Sequence, residues 1–171
     1  MRGGAAAVGR CEDCTVLDFE VRPVRPEDTR EMAELLAAVA EERDGIATEP
    51  PVDVDALTER WRLDGSFVAV ADGTVVGHVH IEASRFGFGE LGMMVADGWR
   101  GRGVGTALVA ASIEWAREQG LHKVTLGVFP HNEAAIALYR KFGFVEEGRL
   151  RHQIRRTSGE LWDVIEMGLL L

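Results

Sequence analysis

Residues 100 to 105 read Arg-Gly-Arg-Gly-Val-Gly, and an apolar repeat at helical spacing begins directly behind them. The first turn of a helix carries free backbone N–H groups and a partial positive charge, and glycines let an anion approach the chain without meeting a Cβ. A phosphate is the occupant this arrangement suits. Arg100 and Arg102 concentrate positive charge there, in a chain whose formal net charge is -9. A Walker A loop is excluded, because Val104-Gly105-Thr106 follows with no lysine. A dinucleotide fingerprint would need glycine at position 106 or 108, and these are Thr106 and Leu108. What stays is Arg-x-x-Gly-x-Gly ahead of a long apolar helix.

Further blocks stand in order around this loop: Gly92-Met93-Met94-Val95 before it, then Asn132-Glu133-Ala134-Ala135 and Leu138-Tyr139-Arg140-Lys141-Phe142-Gly143-Phe144 after it. In this combination the sequence resembles the GNAT superfamily of acetyl-CoA-dependent N-acetyltransferases, over residues 19 to 171. The resemblance implies that Arg100, Gly101, Arg102, Gly103, Val104, Gly105 and Thr106 hold the pyrophosphate of acetyl-CoA, largely through backbone amides. It also implies that the strand carrying Met93, Met94 and Val95 parts from its parallel neighbour to admit the pantetheine arm. A backbone N–H of that strand would polarise the thioester carbonyl. Asn132 matches the family's cofactor-contacting asparagine, and Lys141 is placed to meet a phosphate, although a lysine at a helix C-terminus also has a dipole explanation. Tyr139, the single tyrosine of the chain, stands seven residues after Asn132 and matches the residue that protonates the departing thiolate.

Acetylation of an amine at neutral pH needs the neutral amine, whereas an alkylamine has a pKa near 10.4. A base is therefore required. Many relatives place a glutamate on the strand before the asparagine, but Leu126-Gly127-Val128-Phe129 contains no acid. Glu90 is the substitute, although strand parity puts it on the face opposite Met93. His78, His80 and Glu82 alternate along one strand, which marks a solvent-facing side more readily than a metal site, and no metal is expected. His80 and Glu82, with Glu49 of the Thr48–Pro51 linker, are candidates to line the acceptor pocket. No cysteine or serine nucleophile is placed to form a covalent intermediate, so transfer is expected to be direct.

The elements that must position these residues follow from periodicity. A strand over 19–24 leads at Pro26 into a helix whose Met32, Leu35, Leu36 and Val39 repeat until Gly45. Beyond the linker, Val54, Leu57 and Trp61 predict a second helix from Asp53 to Leu63. Phe67–Ala71 and Val75–Ala83 form a hairpin about Asp72-Gly73, with Val75, Gly77, Val79 and Ile81 on one face. Glu90–Val95, a helix from Gly103 to Gln119 and a strand from Lys123 to Phe129 make a right-handed βαβ unit with parallel strands. A helix over 132–141 and two strands joined near Ser158-Gly159 complete an α/β domain over 19–171. With the resemblance, the expected fold is a mixed, mostly antiparallel seven-stranded sheet, splayed at two parallel central strands and flanked by helices.

Composition sets the outer limits. The -9 charge argues against a nucleic-acid partner, because phosphate neutralisation needs clustered Lys and Arg. No apolar run approaches the roughly 18 residues of a membrane span, so a membrane is not expected and a cytoplasmic location is. Residues 1–18 read as a flexible tail, whose Cys11 and Cys14 form a lone C-x-x-C. The expected partner is a small-molecule amine, and a homodimer is compatible with the reading. Acetylation of a protein N-terminus or lysine, and a non-catalytic acetyl-CoA sensor, stay open as alternatives.

Overall fold

The computed structural model describes residues 19–171, so the cysteine pair and the tail before Phe19 lie outside the described residues. Seven strands form one sheet in the order β1-β2-β3-β4-β5-β7-β6: β1 (Phe19–Pro23), β2 (Ser66–Ala71), β3 (Thr74–Ala83), β4 (Phe88–Val95), β5 (Lys123–Val128), β6 (Val145–Arg155) and β7 (Leu161–Leu170). Only β4 and β5 are parallel. This is the expected α/β architecture, with the long helix between β4 and β5 as the crossover. At the β2–β3 turn, Asp72 and Gly73 have φ of 48° and 78°, the positive pair that a two-residue hairpin loop demands.

The helices cover both faces. Against one face lies α1 (Thr29–Glu41), entered through a 3-10 turn at Pro26–Asp28 and buried through Met32, Ala33, Leu35, Val39 and Ala40. Asp28 fixes this entry by accepting from Arg25 N–H at 2.7 Å and from both terminal nitrogens of Arg22 at 2.7 and 2.8 Å. The other face carries α3 (Val104–Glu118) and, in the same apolar cluster, Ile136 and Tyr139 of α4 (Glu133–Lys141).

Two expectations are corrected. The second helix, α2, covers only Val54–Thr58, capped by Asp53, and does not continue to Leu63. A five-residue helix with no fully buried residue has little packing to drive further turns. The chain instead extends, so that Trp61 lies edge-on to His78 and Gly65 receives the N–H of Ile81. The hairpin's face assignment also changes. A register shift after Ala69 leaves one extra residue in β3, so Val75 joins the α1-side core while Val76, Val79 and Ile81 face α3.

The same strand refutes a solvent-facing side for His78. Its ring is 2% exposed, because α1 and Trp61 roof this part of the sheet. Burial pushes its pKa down to about 3, and its Nε2 has no hydrogen-bond partner. Between that value and the 6.5 of an ordinary imidazole the unfolded chain binds the proton and the folded chain does not. Stability is therefore present above pH 6.5 and is lost as pH falls through this window, by about 3 kcal/mol between pH 7 and pH 4. His78→Phe should flatten the dependence of the urea midpoint on pH over that range. An unchanged slope would assign the acid sensitivity to other groups.

Candidate active site

The glycine loop approaches α3 as its sequence suggests. Gly101 and Gly103 have φ of 71° and 88°, a region closed to most L-residues, and a Cβ at either would meet nothing within 4 Å. Both therefore leave open space where a side chain would stand. Gly103 occupies the cap position without any side-chain cap, and the first turn of α3 holds no acid. Ala107 N–H bonds back to Gly103 O, so the amides of Val104, Gly105 and Thr106 precede the first intrahelical hydrogen bond. Gly105 has a different use: a Cβ there would lie 3.0 Å from Leu138 and 3.5 Å from Met93, so its absence lets α3, α4 and β4 close on one another.

The two arginines part company. Arg102 is exposed, stacked over Trp99 at 5.1 Å, and remains within the loop as a cation. Arg100 is instead engaged by the protein: it donates to both carboxylate oxygens of Glu42 at 2.7 and 2.8 Å and to Val95 O at 3.0 Å, with Asp97 at 3.5 Å. Its guanidinium ties the end of α1 to the exit of β4, and this corrects the expectation that it offers free charge to a phosphate.

Upstream of the loop, β4 and β5 pair only from Phe88↔Lys123 to Glu90↔Thr125, and β4 then runs on to Val95 without a partner on that side. The ladder with β3 is anchored by Ser84 N–H to Phe88 O at one end and Ala96 N–H to Val76 O at the other. Alternation between these anchors turns the amides of Glu90, Gly92 and Met94 towards β3, and those of Leu91, Met93 and Val95 into the gap. Of the three expected residues, Met93 and Val95 thus present backbone to the gap. Met94 does not: its amide belongs to the ladder and its side chain, 6% exposed, packs beneath α1.

Across the gap, Asn132 caps α4 by accepting Ala135 N–H at 3.2 Å, which leaves its amide nitrogen turned towards Gly45. Tyr139, two turns on, is 6% exposed in the cluster with Leu91, Leu126 and Val128, and burial pushes its phenol up to about 12. It is a proton carrier at any neutral pH. Lys141 is exposed in the last turn of α4, where its charge also complements the helix dipole.

The α1-facing side of the gap holds the remaining candidates. Glu90 and Glu82 are exposed and directly opposed across β4 and β3, and Glu82 pairs with Arg62 at 3.2 Å. His80, half-buried, is the next residue pair along, opposite Gly92, and lines a cleft of about 550 Å³ with Trp61, Leu63 and Glu82. Among the described residues no three His, Cys, Asp or Glu side chains converge as metal ligands. Glu49 is no open ligand either. Its carboxylate accepts from Thr157 N–H at 2.7 Å and the Thr157 hydroxyl at 2.9 Å, with Arg156 at 3.5 Å, and the Thr157 backbone bond is the first cause of its lowered pKa.

Sequence reading missed Arg156. Its side chain is 2% exposed, donates to the carbonyls of Arg43, Ile46 and Ala47 at 3.1 to 3.2 Å and stacks over Trp162 at 4.4 Å. It binds the α1–α2 connection to the β6–β7 end of the sheet. Arg155-Arg156 before Ser158-Gly159 looks like ordinary turn charge, and nothing local distinguishes the buried arginine from the exposed one.

Residues 30–144 match the model of the acetyltransferase (GNAT) family. The L-amino acid N-acetyltransferase of Escherichia coli is 36% identical over 108 residues, covering 58% of this chain and 64% of its own. The chain thus spans a little under two thirds of that relative. The crystal structure of ribosomal-protein-alanine N-acetyltransferase from Brucella melitensis is 30% identical with a TM-score of 0.79, covering 88% of this chain and 99% of that one. An acetyltransferase structure from Salmonella typhimurium, solved with its cofactor acetyl-CoA, shares the fold at a TM-score of 0.80 and 21% identity over 90% of this chain and 94% of its own. No helix among the described residues is long and apolar enough to cross a membrane. With more than half of its residues under that family model, the chain belongs to the acetyltransferase (GNAT) family.

Proposed function

We propose that this protein transfers an acetyl group directly from acetyl-CoA to the primary amine of a small, amino-acid-like acceptor. The observation that carries the reading is the parted β4–β5 pair, whose unpartnered edge leads to the uncapped, acid-free end of α3. Acetyl-CoA fits that edge, because Gly101 and Gly103 leave open the space a Cβ would fill. When bound, it supplies an acetyl thioester, which an amine can attack.

The chain's own groups then have separate work. The amides of Gly101 to Thr106, with Arg102, hold the pyrophosphate, and Lys141 and the amide of Asn132 contact the cofactor from α4. The N–H of Met93 or Val95 binds the carbonyl oxygen as negative charge develops there. Tyr139 keeps its proton until the sulfur needs one. Glu82 and Glu90 make the acceptor side negative, which suits an incoming ammonium. The E. coli relative acts on L-amino acids, which favours a small acceptor. A second reading, acetylation of a protein N-terminus, is favoured by the 30% identity to the Brucella structure.

Release of free thiol from acetyl-CoA, measured with amino acids, alkylamines and peptides bearing free N-termini, tests the proposal. Fastest release with a small amine is expected. Release only with peptides would select the second reading, and no release from any acceptor would leave a cofactor-binding module without this activity.

A further inference from the structure

The general base is the role that the sequence leaves least determined, and the sheet geometry distinguishes between its candidates. On the α1-facing side, β3 and β4 present three successive cross-strand pairs: Glu82↔Glu90, His80↔Gly92 and His78↔Met94. Pairing of β4 with β5 ends at Glu90↔Thr125. Glu90 therefore stands at the closed end of the gap, and Gly92 at the first open position. Gly92 has no side chain, and the ring of His80 fills that space: a Cβ there would lie 2.5 Å from the ring Cε1 and 3.2 Å from each ring nitrogen. A β3 side chain thus reaches over β4, the strand that borders the gap. Extending the parallel register by two residues places Gly127, which is exposed, across the gap from Gly92. Two glycines frame the opening on this face, with an imidazole over one of them.

We propose that His80 is the catalytic base, taking the proton of the acceptor's ammonium at the opening between Gly92 and Gly127, with Glu90 and Glu82 steadying the imidazolium that results. This rests on the acetyl-transfer reading above. The neutral amine then forms its N–C bond to the acetyl carbon, the C–S bond breaks, and Tyr139 gives its proton to the departing sulfur. The second nitrogen proton restores the phenol through solvent, and His80 returns its own to solvent, so one proton is released per turnover. The surroundings fit the task. Behind His80 the ring of buried, neutral His78 stacks at 5.7 Å and 17°. Burial is the main influence on His80 and holds its pKa below the ordinary value, while the carboxylates of Glu82 and Glu90 oppose that shift. At neutral pH the imidazole is thus a free acceptor. Further charges on this side come from the 60–64 segment, where Arg60, Arg62 and Asp64 line the same cleft and Arg62 is held on Glu82 at 3.2 Å. β5 contributes Thr125, Gly127 and Lys123, the last held by Glu147 at 2.7 Å, and β7 sets the exposed Glu166 opposite Gly127.

His80→Gln should lower kcat/KM at pH 7 by about 10²- to 10³-fold and abolish the acidic limb, the fall in rate as the base becomes protonated. Gly92→Ala, which introduces no titratable group, should lower the rate by displacing the ring, and should add no further loss in the His80→Gln background. In the ligand-free protein, an NMR titration of the His80 ring should show its midpoint falling in Glu90→Gln, since that carboxylate favours the charged ring. Thiol release by the unaltered chain, with His80→Gln keeping both its rate within about threefold and its acidic limb, overturns the assignment to His80 alone. Additive losses in the double variant, or a His80 midpoint indifferent to Glu90→Gln, also overturn it. Absence of thiol release by the unaltered chain with every amine overturns the acetyl-transfer reading as well.

Discussion

Tyr139→Phe is expected to lower kcat by about 10²- to 10⁴-fold while leaving the dissociation constant for acetyl-CoA unchanged. The substitution removes one oxygen from a residue that is 6% exposed and keeps the ring that packs on Phe144 at 5.7 Å, so the fold and the glycine loop should be untouched. What it removes is a proton held firmly at neutral pH, because burial pushes the phenol up to about 12. The proposed acid must be protonated, so its activity should be retained at neutral pH and decline only in strongly alkaline solution. Calorimetric binding of acetyl-CoA together with steady-state thiol release separates the two quantities. Unchanged kcat would reduce Tyr139 to a packing residue, and a matching loss of affinity would show that the cavity itself had changed.

Arg156→Met is expected to destabilise the fold by about 3 to 5 kcal/mol, because three backbone carbonyls and the Glu49 carboxylate lose a buried charged partner that a thioether cannot replace. For a chain of this size that corresponds to a fall in Tm of about 10 °C. The consequence for function is local. Arg43, Ile46, Ala47 and Glu49 belong to the connection between α1 and α2, and Trp162 and Thr157 belong to the β6–β7 end, so the arginine joins two segments beside the proposed acceptor side of the sheet. Acceptor KM should rise more than acetyl-CoA KM, since Arg156 makes no bond to the glycine loop, whose own tie to this connection runs through Arg100 and Glu42. Equal rises in both, at a temperature well below the new midpoint, would refute that separation. The Glu49 carboxylate, lowered in pKa chiefly by the Thr157 backbone bond, belongs to the same tie, so its replacement should weaken this connection as well.

The proposed donor half of the site was the more legible in sequence because its chemistry is local. Positive φ at Gly101 and Gly103, the amides at the start of α3 and the cap at Asn132 are each settled within a few residues of chain. The parallel crossover from β4 to β5 was legible for a related reason, since a strand, a long amphipathic helix and a second strand admit one hand of connection. The interval from Asn132 to Tyr139 is likewise a property of one helix, which keeps both on related faces.

The proposed acceptor half was decided by contacts between distant segments. Alternation along β3 correctly placed His78, His80 and Glu82 on one face, but whether that face meets water depends on α1 and Trp61, which fold over its inner end and leave its outer end open. One extra residue opposite Ala69 moved Val75 to the other face, a change that strand periodicity alone does not reveal. Arg100 and Glu49 have the residue types of ligands, yet each found its partner within the protein, Glu42 for one and Thr157 for the other, 58 and 108 residues away in the chain. The sequence by itself determined an uncapped, glycine-rich helix end suited to an anion and the strand that leads to it, because backbone conformation and helix electrostatics act over short range. Only the tertiary structure decided which charges remain free and which imidazole reaches the gap, because burial and ion pairing depend on segments that meet only once the sheet is assembled.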